Sequence, residues 1–287
     1  MRVAADWKDF ELLDCSGGEK LERWGEVLLV RPDPQILWKT PRGPQWQRAD
    51  AWYHRSSSGG GRWEARGLER EQWQICYKDL RFVIRPTGFK HTGLFPEQAV
   101  NWDFMRAKLR AAGRPAKVLN LFASPGGATL ACAKEGASVC HVDASKGMVS
   151  WARENAAASG LSGAPVRWIV DDCLKFIERE LRRGNRYDGI VMDPPSYGRG
   201  PGGEVWKLEE QVFSLCERAA ALLSDNALFF LLNSYTTGLS ASVMQYLLAT
   251  TAGAGRAGSV SSSEIGLPVT SSGLILPCGS TAIWQAR

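Results

Sequence analysis

The sequence lacks any apolar run approaching the ~20 residues that a membrane-spanning helix needs, so no membrane partner is expected. It also lacks CxxC pairs. Its seven cysteines, Cys15, Cys76, Cys132, Cys140, Cys173, Cys216 and Cys278, are odd in number and fall mostly in apolar contexts. They read as reduced, buried thiols, which leaves neither a disulfide framework nor a metal site. The usual GxGxxG of nicotinamide enzymes is absent, and Ser124-Pro125-Gly126-Gly127-Ala128-Thr129 does not substitute for it. No internal repeat is found. Residues 1–10 carry Asp6, Lys8 and Asp9 where a signal peptide would be apolar, so a cytoplasmic location is expected.

The chain has 287 residues, 44% hydrophobic and 23% charged, with a mild net charge of +5. That composition excludes wholesale disorder, and the length suits a large domain beside a small one. Tryptophan is concentrated at the front: seven of the twelve, Trp7, Trp24, Trp38, Trp46, Trp52, Trp63 and Trp73, precede residue 74. Segments there are short and broken by Pro32, Pro34, Pro41, Pro44 and the Ser/Gly run 56–61, a pattern of β-strands joined by turns. Between residues 31 and 66, Arg31, Lys39, Arg42, Arg48, Arg55, Arg62 and Arg66 outnumber Asp33, Asp50 and Glu64. Two readings stand for this stretch. The aromatics are the core of a small β domain with a solvated basic face, or the two residue classes together hold phosphates and stack on bases. The texture changes after Pro86, which places an N-terminal Trp-rich β domain at 1–86 and a second domain at 87–287.

From Lys117 onward apolar strand-like and helix-like segments alternate: strands over 118–123, 138–143, 166–170, 187–192 and 227–232, helices over 129–135, 147–159, 173–183, 204–223 and 240–250. Such alternation predicts a parallel sheet with right-handed crossovers, whose ligands sit at the carboxyl ends of the strands. The tail, 264–269 and 273–277 with 282–284, reads as an antiparallel hairpin.

The chemistry-bearing residues all fall at those strand ends. Gly126 and Gly127 occupy the first turn, where backbone N–H groups can face a carboxylate or phosphate; a plain tight turn is the alternative. Asp143 ends the second strand, the place from which an acid accepts both hydroxyls of a ribose, and Asp172 ends the third, placed for an adenine amino group with the backbone of Cys173 beside the ring. Either acid would equally serve as a helix N-cap. Asp193-Pro194-Pro195-Ser196-Tyr197-Gly198 follows the fourth strand. The prolines fix φ and remove donors, so the Asp193 and Pro194 carbonyls can present rigid acceptors to an amino group or flat base, with Tyr197 available to stack.

Taken together, Thr92-Gly93-Leu94-Phe95-Pro96-Glu97-Gln98, Asn120-Leu121-Phe122-Ala123-Ser124-Pro125-Gly126-Gly127, Val142-Asp143-Ala144-Ser145, Asp171-Asp172 and Asp193-Pro194-Pro195 resemble the S-adenosylmethionine (SAM)-dependent methyltransferases of the bacterial large-subunit rRNA cytosine-C5 type, in a branch without a PUA domain. The resemblance runs from about residue 89 to residue 287. It implies an α/β fold with a doubly wound, mostly parallel seven-stranded Rossmann-like sheet, an antiparallel C-terminal hairpin and a small N-terminal β domain, with SAM as cofactor and ribosomal RNA as partner. It also implies that Phe95 and Gln98 shape the SAM pocket, Gly126 and Gly127 approach its methionine part, Asp143 holds the ribose and Asp172 the adenine. Asn120, Phe122, Ala123, Ala144, Ser145 and Cys173 belong to the same expected pocket, and Asp193, Pro194, Pro195 and Tyr197 to the catalytic one. One departure stands out. Cytosine-C5 chemistry needs a thiolate, yet the stretch Leu232-Asn233-Ser234-Tyr235-Thr236-Thr237 has no Cys, the residue after Pro195 is Ser196, and Cys216 falls inside an amphipathic helix. Transfer to an amino nitrogen or hydroxyl needs only alignment and a proton acceptor, which Asp193 can be. A protein or small-molecule acceptor, or a non-catalytic RNA-binding role, are the competing readings.

Overall fold

The computed structural model describes residues 1–56, 60–88, 90–199 and 205–287. Residues 57–59 of the Ser/Gly run, Phe89 and Glu204, the expected start of a helix, lie outside them. By contacts the chain forms two compact units: one of Val3–Ala99 with Gly266–Cys278, the other of Met1–Arg2, Val100–Ile265 and Gly279–Arg287.

In chain order the front strands are β1 (Arg2–Val3), β2 (Phe10–Ser16), β3 (Glu19–Trp24), β4 (Val27–Pro32), β5 (Ala51–Arg55), β6 (Gly61–Ala65), β7 (Trp73–Tyr77) and β8 (Leu80–Ile84). Strands β2 to β6 form one five-stranded sheet in sequence order, antiparallel except between β4 and β5, and β7 pairs with β8. Tryptophan builds this core, as the first of the two readings requires. Trp24 and Trp46 are fully buried, and Trp46 packs with Leu21, Val30 and Ala49. Each buried indole N–H has an acceptor, as a buried donor must: Trp46 donates to Asp14 at 2.7 Å, Trp24 to Glu22 at 3.2 Å and Trp73 to the Trp24 carbonyl at 2.9 Å. Glu22 is itself buried against Arg31, at 2.6 and 2.8 Å. Burial alone would raise the Glu22 carboxyl, but Arg31 and Lys20 outweigh it and hold it down at about 2. The segment Gly266–Cys278 completes this unit: Val269 bridges to Leu12, Thr270 donates to Glu11 at 2.7 Å and Ser271 to Asp14 at 2.7 Å.

The larger unit holds α1 (Ala99–Ala112), β9 (Lys117–Leu121), α2 (Gly127–Lys134), β10 (Ser138–Asp143), α3 (Lys146–Ala158), β11 (Val166–Val170), α4 (Cys173–Arg182), β12 (Gly189–Met192), β13 (Tyr197–Arg199), β14 (Val205–Lys207), α5 (Leu208–Ala220), β15 (Phe229–Ser234), α6 (Ala241–Thr250), β16 (Ser259–Pro268) and β17 (Ile275–Gln285). Its sheet runs β11-β10-β9-β12-β15-β17-β16, with the short β1 beyond β16. All pairings from β11 to β15 are parallel, and β17 is antiparallel to β15. This is the doubly wound sheet with an antiparallel closing hairpin that the alternation and the resemblance imply. The central strands β12 and β15 are buried at every position, hence the apolar runs Gly189–Met192 and 229–232, with the polar Asn233 and Ser234 buried at the end of β15.

One expectation is corrected. The helix expected over 204–223 is α5, starting at Leu208, and before it β14 pairs antiparallel with β13. The Leu208 N–H is committed to the Ser196 carbonyl at 3.0 Å, and the Trp206 indole donates to the Pro195 carbonyl at 2.6 Å, so tertiary bonds override helical propensity there. Among the described residues no helix is long and apolar enough to cross a membrane, and no cluster of His, Cys, Asp and Glu could hold a metal ion.

Candidate functional site

Winding reverses at β9: the chain goes from β9 outward through β10 and β11, then back across to β12 and β15. Ligands bind at such switch points, outside the carboxyl ends of the strands. Beyond β9, Phe122 takes the left-handed conformation (φ 54°), which costs a non-glycine residue about 1–2 kcal/mol. Its N–H donates to the Cys173 thiol at 3.3 Å, and the Ala123 N–H to the Val142 carbonyl at 3.1 Å. Gly126 has φ 97°, and a Cβ there would lie 2.8 Å from the Ala152 Cβ. A Cβ on Gly127 would lie 2.5 Å from the Trp102 ring. The two glycines therefore seat the start of α2 against α3 and α1, which puts the unpaired N–H groups of its first turn at the mouth of the switch point.

Asp143 closes β10 half-buried. Its carboxylate accepts from the Ser124 N–H at 3.2 Å and the Ser145 N–H at 2.9 Å, joining the first two loops. Ala144 leads into Ser145, the N-cap of α3. Beyond β11, Asp171 is ion-paired with Arg179, and the exposed Asp172 caps α4 by accepting from the Lys175 N–H at 2.9 Å. A carboxylate has about four acceptor positions, so the capping role leaves capacity for a ligand on the same residue. Cys173 is buried and its thiol is pushed up to about 12 by burial, as is that of Cys216. Neither is a nucleophile at neutral pH.

The loop beyond β12 is laced to its neighbours. Asp193 Oδ1 accepts from the Asn233 amide at 3.0 Å. The hydroxyls of Ser196, the residue after Pro195, and of Thr236, in the cysteine-free stretch 232–237, lie 2.6 Å apart and bond to each other. Trp206 donates to Pro195 while its ring sits 6.1 Å from that of Phe122, spanning the first and fourth loops. Tyr197 is 52% exposed. Asn120 faces away from these loops, under α2: its amide donates to Thr129 at 2.9 Å, and Thr129 lies 2.9 Å from His141, whose ring burial holds at about 3 and so neutral. Phe95 and Gln98 belong to the front unit, Phe95 with its ring 5.4 Å from that of His91 and Gln98 ending a single 3-10 turn. Sequence reasoning missed Trp206, which it placed in a helix. It also passed over Asn233, although the stretch that holds it had been searched for a cysteine.

Reversed winding at β9, with an acid or a glycine turn on each of four successive strand ends, defines a nucleotide-binding α/β enzyme. The family of S-adenosylmethionine-dependent methyltransferases matches residues 44–234, and the chain belongs to it; SAM is its cofactor. The solved structure of the SAM-dependent methyltransferase from Agrobacterium tumefaciens is 38% identical, with a TM-score of 0.93 over 100% of this chain and 93% of that one. A methyltransferase structure from Streptococcus mutans, at 16% identity and TM-score 0.75 over 97% of this chain and 76% of that one, shares the fold. The ribosomal RNA large subunit methyltransferase K/L of Shewanella frigidimarina is 34% identical over 148 residues, 51% of this chain and 20% of that protein. The chain thus spans about a fifth of that relative's length.

Proposed function

We infer that the chain transfers the SAM methyl group to an amino nitrogen or hydroxyl of a large-subunit ribosomal RNA nucleotide, in the cytoplasm. The observation that carries the reading is the placement of Asp143, Asp172 and Asp193 at successive strand ends, where each accepts from a neutral donor. That donor set fits SAM. Asp143 would accept the ribose hydroxyls, Asp172 the adenine amino group with the Cys173 N–H on the ring, and the first turn of α2 after Gly126 and Gly127 the methionine carboxylate. Phe122, Ala123, Ala144 and Ser145 would shape the pocket, with Asn120 supporting it from beneath. Residues 1–86 would be the RNA-facing β domain and 87–287 the methyltransferase domain.

When bound, SAM supplies an electrophilic methyl group. The chain's own part is to hold the acceptor in line: the rigid Asp193-Pro194 carbonyls orient an amino group, Tyr197 stacks on the base, and the Asp193 carboxylate receives the departing proton. The relatives named for ribosomal RNA and the exposed basic residues Lys39, Arg48, Arg55 and Arg62 support an RNA acceptor. Kinship with the cytosine-C5 enzymes covers the cofactor motifs, whereas hydroxyls at Ser196 and Thr236 support a non-covalent transfer. The test compares nucleosides of large-subunit RNA, by mass spectrometry, from cells with and without this protein. One methylated nucleoside should disappear and be restored in vitro by protein and SAM. Identical nucleoside profiles would overturn the reading.

A further inference from the structure

Sheet register puts a line of polar side chains behind Asp193. Met192, the last residue of β12, pairs with Leu232, so Asp193 falls beside Asn233, and Asn233 on β15 pairs directly with Thr281 on β17. Asn233 donates to Asp193 at 3.0 Å, the Thr281 hydroxyl donates to the Asn233 carbonyl oxygen at 2.8 Å, and the Asn101 amide of α1 donates to Thr281 at 3.1 Å. Arg2 donates to the Asn101 carbonyl oxygen and to the Val100 backbone carbonyl. Asn101, Asn233 and Thr281 are each 1% exposed.

The two ends fix the direction of every bond. A guanidinium only donates, so Asn101 must turn its oxygen to Arg2 and its nitrogen to Thr281. A carboxylate only accepts, so Asn233 must turn its nitrogen to Asp193 and its oxygen to Thr281. Thr281 is left with one arrangement, accepting from Asn101 and donating to Asn233. All dipoles therefore point the same way, from a cation to the site carboxylate, and bonds in such a chain strengthen one another in a low dielectric.

We propose that Arg2, Asn101, Thr281 and Asn233 form a one-way hydrogen-bonded relay of positioning residues that fixes the orientation of the Asp193 carboxylate for methyl transfer. The proposal rests on the role given to Asp193 above. None of the four need touch SAM or the acceptor; they act through Asp193, as outer partners of catalytic groups do.

Thr281→Val removes the hydroxyl and keeps the branched shape, and Thr281→Ser keeps the hydroxyl. The readouts are tritium transfer from labelled SAM to large-subunit RNA from cells lacking this protein, and SAM affinity by titration calorimetry, both at a temperature where circular dichroism shows the variants folded. Thr281→Val should slow transfer about tenfold with SAM affinity within about twofold of the parent, and Thr281→Ser should recover most of the rate. In an Asp193→Asn background Thr281→Val should cost nothing further. Should Thr281→Val not fold, Arg2→Met, four hydrogen bonds from Asp193, is read the same way. Transfer at the parental rate, failure of the Ser variant to recover it, or an equal further loss in the Asp193→Asn background would each overturn the relay. If the parent methylates no RNA, the RNA reading falls by itself, and the same variants are compared with a lysate of those cells as acceptor. No incorporation there from the parent overturns the relay as well.

Discussion

Glu22 inside the front unit and Asp143 and Asp172 at the strand ends of the larger unit are held in opposite ways. Glu22 is fully buried, against Arg31 with Lys20 at 3.4 Å. There the charge is consumed by the fold. Asp143 and Asp172 accept from backbone N–H groups and Asp193 from the Asn233 amide, donors that orient a carboxylate. The difference teaches where each unit is vulnerable: the front unit in its stability, the larger unit in what its acids can still bind.

The largest effect expected from that contrast is on Arg31→Met, which leaves Glu22 buried without its main partner. Loss of one member of a buried pair costs about 3–5 kcal/mol, and Glu22→Leu with Arg31→Met together should recover most of it. Urea unfolding of the three proteins decides; a single variant within about 1 kcal/mol of the parent would erase the contrast. The next effect is acid lability. The Glu22 carboxyl is depressed in the folded state, so its stabilisation is complete above the ordinary value of 4.5 and is lost as the pH falls towards about 2. A shift of this size corresponds to about 3 kcal/mol. Unfolding measured between about pH 5 and about pH 2 should show that loss in the parent and not in the paired Leu/Met variant. Asp143→Ala sharpens the other side: SAM affinity should fall about 10- to 100-fold, from charge-assisted bonds of about 1.5–3 kcal/mol, while stability changes by less than about 1 kcal/mol. Calorimetric titration showing parental affinity would remove Asp143 from the pocket. The smallest effect belongs to Asp172→Asn, which keeps a good N-cap, so stability should stay within a few tenths of a kcal/mol. SAM affinity should nevertheless weaken several-fold, since Asn presents one oxygen where Asp presents two.

Strands β9, β10, β12 and β15 were legible in the sequence to within a few residues, because a strand buried on both faces is largely apolar, and the edge strand β11 by its β-branched and aromatic residues. The acids at 143, 172 and 193 were legible as polar residues that end or follow those strands. What escaped depends on contacts distant in sequence. The β13–β14 pairing has three residues a side and no periodicity of its own; it is held by Trp206 on Pro195. The relay behind Asp193 joins Asn233 to Thr281 across 48 positions and is visible only once register is known. Composition changes near Pro86, whereas contacts carry the front unit on to Ala99 and then add Gly266–Cys278. A change in texture marks where residue types shift, and a unit by contacts marks where the packing ends.

That late segment has a consequence for synthesis. The first ninety-nine residues emerge from the ribosome early, yet Leu12, Glu11 and Asp14 must wait for Val269, Thr270 and Ser271 before their bonds are complete. Both units therefore wait for the end of the chain, the front one for Gly266–Cys278 and the larger one for Gly279–Arg287, so truncation before residue 266 should cost the front unit these bonds as well as the larger sheet its strand beside β15.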